Sequence, residues 1–243
     1  MSYSTDEKII KDIINELKLL GRVSYHPNVI SFYGVTKEFE NLRKEAHEFF
    51  EQGKFLKALE LFEAILKNCQ LSPEDQESAT AWDLSRSRGF ENFNELIMAL
   101  RKNTMLTSLD LGSNELGPFG VKLLSEELCK NTTLTSLILK DNNLGSKGAE
   151  VLCKNTSLTS LDLDSNKLGS KGGKALASAL CKNTTRTSLN FENNNLGSEG
   201  GNALADALCN NSTLTSLNLR YNNLGSEGGK ALADALYSKI SLK

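Results

Sequence analysis

The phrase L-T-S-L-x-L-x-x-N-x-L-G-x-x-G is written five times in succession, starting at Leu106, Leu134, Leu158, Arg186 and Leu214. The units run 28, 24, 28, 28 and 28 residues. Periods of this size mark a stacked architecture, because one such unit cannot bury its own apolar face and needs a neighbour. Catalytic sites are assembled from different residues brought together once. A repeated phrase points instead to a stack and to the surface it presents.

Each part of the phrase has a physical reading. Leu109 and Leu111 alternate with Ser108 and Asp110, the period-2 signature of a strand with one buried face. An asparagine follows each strand: Asn114, Asn142, Asn166, Asn194 and Asn222. An amide both donates and accepts, so these side chains are expected to stack as a ladder and satisfy backbone groups left where strands end. Ser146, Ser170, Ser198 and Ser226 are expected as helix N-caps, and the glycines around them let the chain turn into each helix. Leu176, Ala177 and Leu180 then fall inward at helical spacing. Lys182-Asn183 is expected to close the helix in a left-handed cap. The second unit is four residues short between Gly148 and Leu152, about one helical turn, so Leu152 should stay on the buried face.

These residues resemble the leucine-rich repeat family, and the unit length with a full helix is similar to its ribonuclease-inhibitor-like class. The resemblance implies an α/β leucine-rich-repeat solenoid over 106–243, with parallel strands on the concave face and helices on the convex face. Arg186 and Phe191 depart from the expected leucines and are expected to mark a local distortion. A weaker phrase over 79–105 places Ala79, Trp82, Leu84, Leu96 and Leu100 near repeat positions, as a degenerate N-terminal unit or cap would.

Two further resemblances precede it. Residues 1–38 hold an amphipathic helix, Asp6 to Gly21, and the run HPNVISFYGV, together similar to the C-helix and following strand of protein kinases. In that family Glu16 would pair with the ATP-binding lysine. The chain carries no G-x-G-x-x-G loop, V-A-I-K, H-R-D or D-F-G, so phosphoryl transfer has no machinery. Residues 39–78 look like one tetratricopeptide hairpin and a linker, with Ala46, Phe49, Gly53, Ala58 and Phe62 at that family's packing positions. The hairpin is expected to pack on the kinase-like helix or on the repeat cap.

Chemistry is sparse. His26 and His47 are the two histidines, and neither lies beside a nucleophile or ligand cluster in sequence. Four cysteines, Cys129, Cys153, Cys181 and Cys209, recur at one repeat position and read as small packing residues. Neighbouring helices at about 8–10 Å suit neither disulfides nor metal. GSKGGKA lacks phosphate-loop spacing, and Ala175 stands where a Mg²⁺-binding hydroxyl belongs. Each N-x-S/T triplet arises from the repeat itself. No catalytic residue, metal site or cofactor is expected. A formal charge of −2 argues against nucleic acid, which needs a basic face. No apolar run nears the ~18 residues of a membrane span. The acidic start and the odd count of five cysteines favour the cytoplasm, with the nucleus open as well.

The function expected is a non-catalytic intracellular scaffold for protein–protein interaction; the alternative is a kinase-derived regulatory adaptor fused to repeats. The outward strand positions and the two after them are Asp110, Ile138, Lys140, Asp141, Asp162, Asp164, Asn190, Glu192, Asn218, Arg220 and Tyr221. Five carboxylates against two cations suggest a protein partner with a basic surface, with Tyr221 as an aromatic anchor. Asp162 and Asp164 are expected to be exposed. Five strands at ~4.8 Å offer roughly 240 Å², well short of the ~800 Å² per partner of a standard interface. Loops, helical flanks or self-association must add area.

Overall fold

A computed structural model describes residues 41–68 (apart from positions 43, 47 and 50), 80–86, 93–152 and 155–241. The kinase-like segment, both histidines, Cys69, Ala79 and Cys153 lie outside the described residues, as does the side chain of Phe62.

Each T-S-L-x-L phrase builds a three-residue strand, and each G-x-x-G segment builds a helix. The order is α1 (Phe55–Asn68), β1 (Ala81–Asp83), α2 (Phe93–Lys102), β2 (Ser108–Asp110), α3 (Gly117–Leu128), β3 (Ser136–Ile138) and α4 (Gly145–Leu152). It continues with β4 (Ser160–Asp162), α5 (Gly169–Leu180), β5 (Ser188–Asn190), α6 (Gly197–Asn210), β6 (Ser216–Asn218) and α7 (Gly225–Ser241). The strands form one parallel sheet in sequence order. The register advances unit by unit, with Leu109, Leu137, Leu161, Leu189 and Leu217 side by side. These alternating leucines and the inner faces of the helices make one continuous core. It is the α/β leucine-rich-repeat solenoid that the repeat implies.

The short unit tests the helix assignment. α4 has 8 residues where α3 and α5 have 12, yet β3 and β4 pair in register and Leu152 is fully buried. Removing one turn shortens the rod without rotating its apolar stripe. A strand shortened by four residues would have lost its pairing altogether.

Several local expectations are corrected. The helices start one residue before the serines: Leu168 and Leu196 hold the cap positions of α5 and α6, and neither makes a side-chain cap bond. Entry is made by Gly169 and its equivalents, at a φ near +64° that a side chain would strain. Asn183 does not adopt the left-handed region. Its Oδ1 accepts from the N–H groups of Thr185 and Arg186, at 3.1 and 2.7 Å, and so turns the chain toward the next strand. Cys129, Cys181 and Cys209 are exposed free thiols at the helix ends, not packing residues. Their repeat position lies one step past the last buried leucine, where the apolar stripe has already turned to solvent.

Arg186 and Phe191 cause no distortion. Phe191 is buried, and β5 keeps its register on both sides. Arg186 is also buried and reaches the carbonyl of Asn155 at 3.4 Å. Asn155 follows the shortened α4, so the arginine reaches into the turn that closes that unit.

Strand β1, with Trp82 and Leu84 buried, extends the sheet ahead of the first full repeat. α1 seals it: Phe55 meets the Trp82 ring at 5.9 Å between centroids, and Leu59 joins the core. Ala46 and Ala58 pack with Leu42, Phe49, Leu61 and Met105 in a satellite cluster. A charged clasp lies a step further in. Glu127 on α3, though buried, accepts from Arg101 of α2 through both oxygens, at 2.7 and 2.9 Å, and pairs with Lys130. The Arg101 hydrogen bonds hold its carboxyl down at about 2, against an ordinary 4.5.

Candidate interaction surface

The strands end where side chains must take over the hydrogen bonding of the backbone. Asn166 Oδ1 accepts from the N–H groups of Asn142 and Leu144, at 3.0 and 3.4 Å. Its Nδ2 donates to the carbonyls of Leu139 and Asp164, at 2.8 and 3.0 Å. Asn142, Asn194 and Asn222 do the same in their units. All are fully or almost fully buried.

The ladder has a direction. Each amide oxygen serves the preceding unit, and each amide nitrogen reaches back to it as well. Asn222 in the last unit therefore keeps a full set, accepting from Asn194 and Leu196 and donating to Phe191, Leu219 and Arg220. Asn114 begins the ladder. Its Nδ2 donates to the carbonyl of Leu84, but its buried Oδ1 has no partner among the described residues.

Residues on both sides of each ladder asparagine take a left-handed backbone: Ser113 and Glu115, Asp141 and Asn143, Ser165 and Lys167, Asn193 and Asn195, Tyr221 and Asn223. This throws their side chains outward in two columns along the rim of the sheet. The columns bond from unit to unit: Asn193 Nδ2 to Ser165 Oγ at 3.1 Å, Asn223 Nδ2 to Asn195 Oδ1 at 3.2 Å. Asn and Asp tolerate this conformation, whereas tyrosine does so at a cost. Tyr221 holds it at φ 54° while 65% exposed, with the Arg220 guanidinium 5.3 Å over its ring.

The outward residues read from the sequence divide into two sets. Asp110, Asp162, Asn190 and Asn218 each turn a side-chain oxygen onto the N–H two residues ahead, at 2.7 to 3.1 Å. They tie off the strand ends, and Ile138 is the unit that omits the tie. Lys140, Asp141, Arg220 and Tyr221 are exposed; Asp164 and Glu192 are half-buried but outward, beside Ser165 and Asn218. Asp162 and Asp164 are thus half-buried, not exposed, because the turn that follows each strand folds over them. The free charge of the rim is carried by Asp141, Asp164, Glu192 and Glu115 against Lys140, Lys167 and Arg220.

Sequence reasoning missed two further columns. Asn131, Asn155, Asn183 and Asn211 form a second buried ladder at the opposite end of the strands. Asn211 accepts from Thr213 and Leu214 and donates to Leu180 and Asn183 of the preceding unit. The recurrence of N-x-S/T in the first four units was its signal. Those buried amides are unavailable for glycosylation. Thr107, Thr135, Thr159, Thr187 and Thr215 each donate Oγ1–H to the carbonyl of the threonine one unit earlier, Thr80 serving the first. Among the described residues, no group of three His, Cys, Asp or Glu could hold a metal ion, and no helix is long and apolar enough to cross a membrane.

A family model described as Leucine Rich repeat matches residues 102–125, 130–153, 154–177, 182–205 and 210–233. No curated protein matches the chain by sequence. Among solved structures, the leiomodin-1 actin-binding site 2 is 22% identical and superposes with a TM-score of 0.51, over 62% of this chain and 90% of that one. The Caenorhabditis elegans tropomodulin C-terminal domain is 16% identical, also at 0.51, over 62% of this chain and 95% of its own. At these identities the likeness is one of fold.

Proposed function

Residues 102–233 belong to the leucine-rich-repeat family, and on that premise we propose that the chain is a non-catalytic protein–protein interaction scaffold whose partner sits on the sheet rim. The observation that carries this reading is how the five units differ from one another. Apart from Arg186, the positions that pack or bond inward keep their chemistry from unit to unit. The rim columns do not: Ser113, Asp141, Ser165, Asn193 and Tyr221 stand at one position. A rigid backbone holding varied side chains outward is a binding surface by construction.

The partner is a protein with a basic surface, docking on Asp141, Asp164 and Glu192, with Tyr221 as the aromatic anchor. The 28-residue unit with a full helix supports the ribonuclease-inhibitor-like class, and exposed free thiols support a reducing, cytoplasmic setting. Asp164→Lys with Glu192→Lys in the full chain tests this without touching the strand-end tie of Asp162. Partner capture from native extract should fall at least tenfold while the circular dichroism spectrum is unchanged. Full capture by the double variant would place the partner elsewhere.

A further inference from the structure

The outer face of the last unit repeats residues that are buried one unit earlier. Leu208 on α6 is 4% exposed, covered by α7; Leu236 holds the same position on α7 and is 51% exposed. A Cβ at Gly201 would stand 3.1 Å from the Gly228 Cα, whereas one at its equivalent, Gly229, would meet nothing within 4 Å. Ala205 is buried and Ala233 exposed. The backbone edge follows suit. Phe191 and Asn193 donate their N–H groups across to the carbonyls of Asn218 and Arg220. By the repeat, the N–H groups of Leu219 and Tyr221 point outward from β6, as does the carbonyl of Thr215, the counterpart of the Thr187 carbonyl that accepts two N–H groups.

We propose that this face docks a second copy of the chain, through a two-fold axis perpendicular to the sheet. β6 then pairs antiparallel with β6 of the second copy, and α7 lies against its equivalent on the same side. Three features select a second copy. An edge that offers both N–H donors and a carbonyl acceptor is satisfied by its own antiparallel image. The charges around it are balanced, Arg220 and Lys230 against Glu227 and Asp234, so two copies meet without repulsion. Along α7 the stripe Gly229, Ala233, Leu236 is nearly symmetric about its alanine, so a two-fold there carries each Leu236 towards the Gly229 notch of the other copy. A head-to-tail stack is closed off, because α1 seals the β1 end with Phe55 and Leu59. A helix of 12–17 residues, about 18–25 Å long, beside a strand edge covers roughly 500 Å² per copy, about where specific interfaces begin.

Sedimentation equilibrium on the full chain tests this, with partner capture left out of the readout. The wild type is expected to dimerise with a micromolar dissociation constant. Leu236→Glu, at a side chain already half in solvent, and Ala233→Arg should each raise that constant at least tenfold with an unchanged circular dichroism spectrum. Phe119→Ser removes a 73% exposed apolar side chain on α3 and should leave the dimer intact. A wild type that stays monomeric into the hundred-micromolar range overturns the proposal. So does a dimer that survives both α7 variants, or one lost in Phe119→Ser.

Discussion

The two ends of the solenoid are finished in opposite ways. At the β1 end the apolar face is closed: Trp82 and Leu84 are buried, and Phe55 meets the Trp82 ring. At the β6 end the apolar face stays open. Asn222 has every bond its ladder position can make, while Leu217, Leu219 and Leu224 are only half-buried. The lesson is that apolar burial and polar satisfaction propagate differently along a stack. Packing is mutual between neighbours, so it fails at either end. The asparagine side-chain bonds all point backwards, so Asn222 keeps a full set although its unit is half-open.

The largest effect should come from the sealed end. Trp82→Ala removes a fully packed ring and leaves a cavity beneath Phe55, costing about 3–5 kcal/mol. Leu219→Ala, at the half-buried end, should cost well under half of that. Urea midpoints for the two variants, with unchanged slopes, measure the difference. Equal losses would mean that the β6 end is covered in solution.

Next come the ladder variants. Asn166→Ala leaves buried backbone groups unpaired and should cost about 1–3 kcal/mol. Asn222→Ala should cost about as much, because Asn222 makes an equivalent set of bonds. Chemical denaturation ranks them, and a mild Asn222→Ala would show that the ladder runs the other way.

A smaller effect sits at the clasp between α2 and α3. Because Arg101 lowers the Glu127 carboxyl to about 2, the stabilisation is fully present above the ordinary value near 4.5 and is lost as the pH falls towards 2. Glu127→Gln should be less stable at neutral pH and should flatten the loss of melting temperature between those values. A wild-type slope retained in the variant would assign acid sensitivity to other carboxylates.

The smallest change concerns the rim. Tyr221→Asn places a residue that tolerates φ 54° where tyrosine is strained, and should raise stability by about 1 kcal/mol or less. The lost Arg220 contact, itself about 0.5–1 kcal/mol at an exposed site, works against the gain. A fall in the urea midpoint would show that the ring contact outweighs the strain.

Much of this fold was legible residue by residue. The alternation around Leu109 and Leu111 identified the buried strand face, the spacing of Leu176, Ala177 and Leu180 the inner helix face, and the four-residue deletion before Leu152 the element that could lose a turn. These are properties of a single unit, and the periods of strand and helix write them directly into the order of residues. The ladder asparagines were legible too, because only one residue type recurs there. The candidate surface was legible as a set of positions but not as roles: Asp110 and Asp162 look like free carboxylates in the sequence, and it is the turn after each strand that claims them.

What the sequence by itself determined, then, is the unit: its strand, its helix, which side chains face inward and that the units must stack. Only the tertiary structure decided what depends on two units at once. That Asn183 serves as a buried bridge and not a helix cap, that Cys181 lies in solvent, that Arg186 fits a leucine's place and that Asn222 keeps a full set of side-chain bonds all follow from which neighbour a side chain can reach. A repeated sequence reads the same in either direction of stacking. The handedness of the chain makes the two directions physically different, and that difference appears only when the units are set side by side.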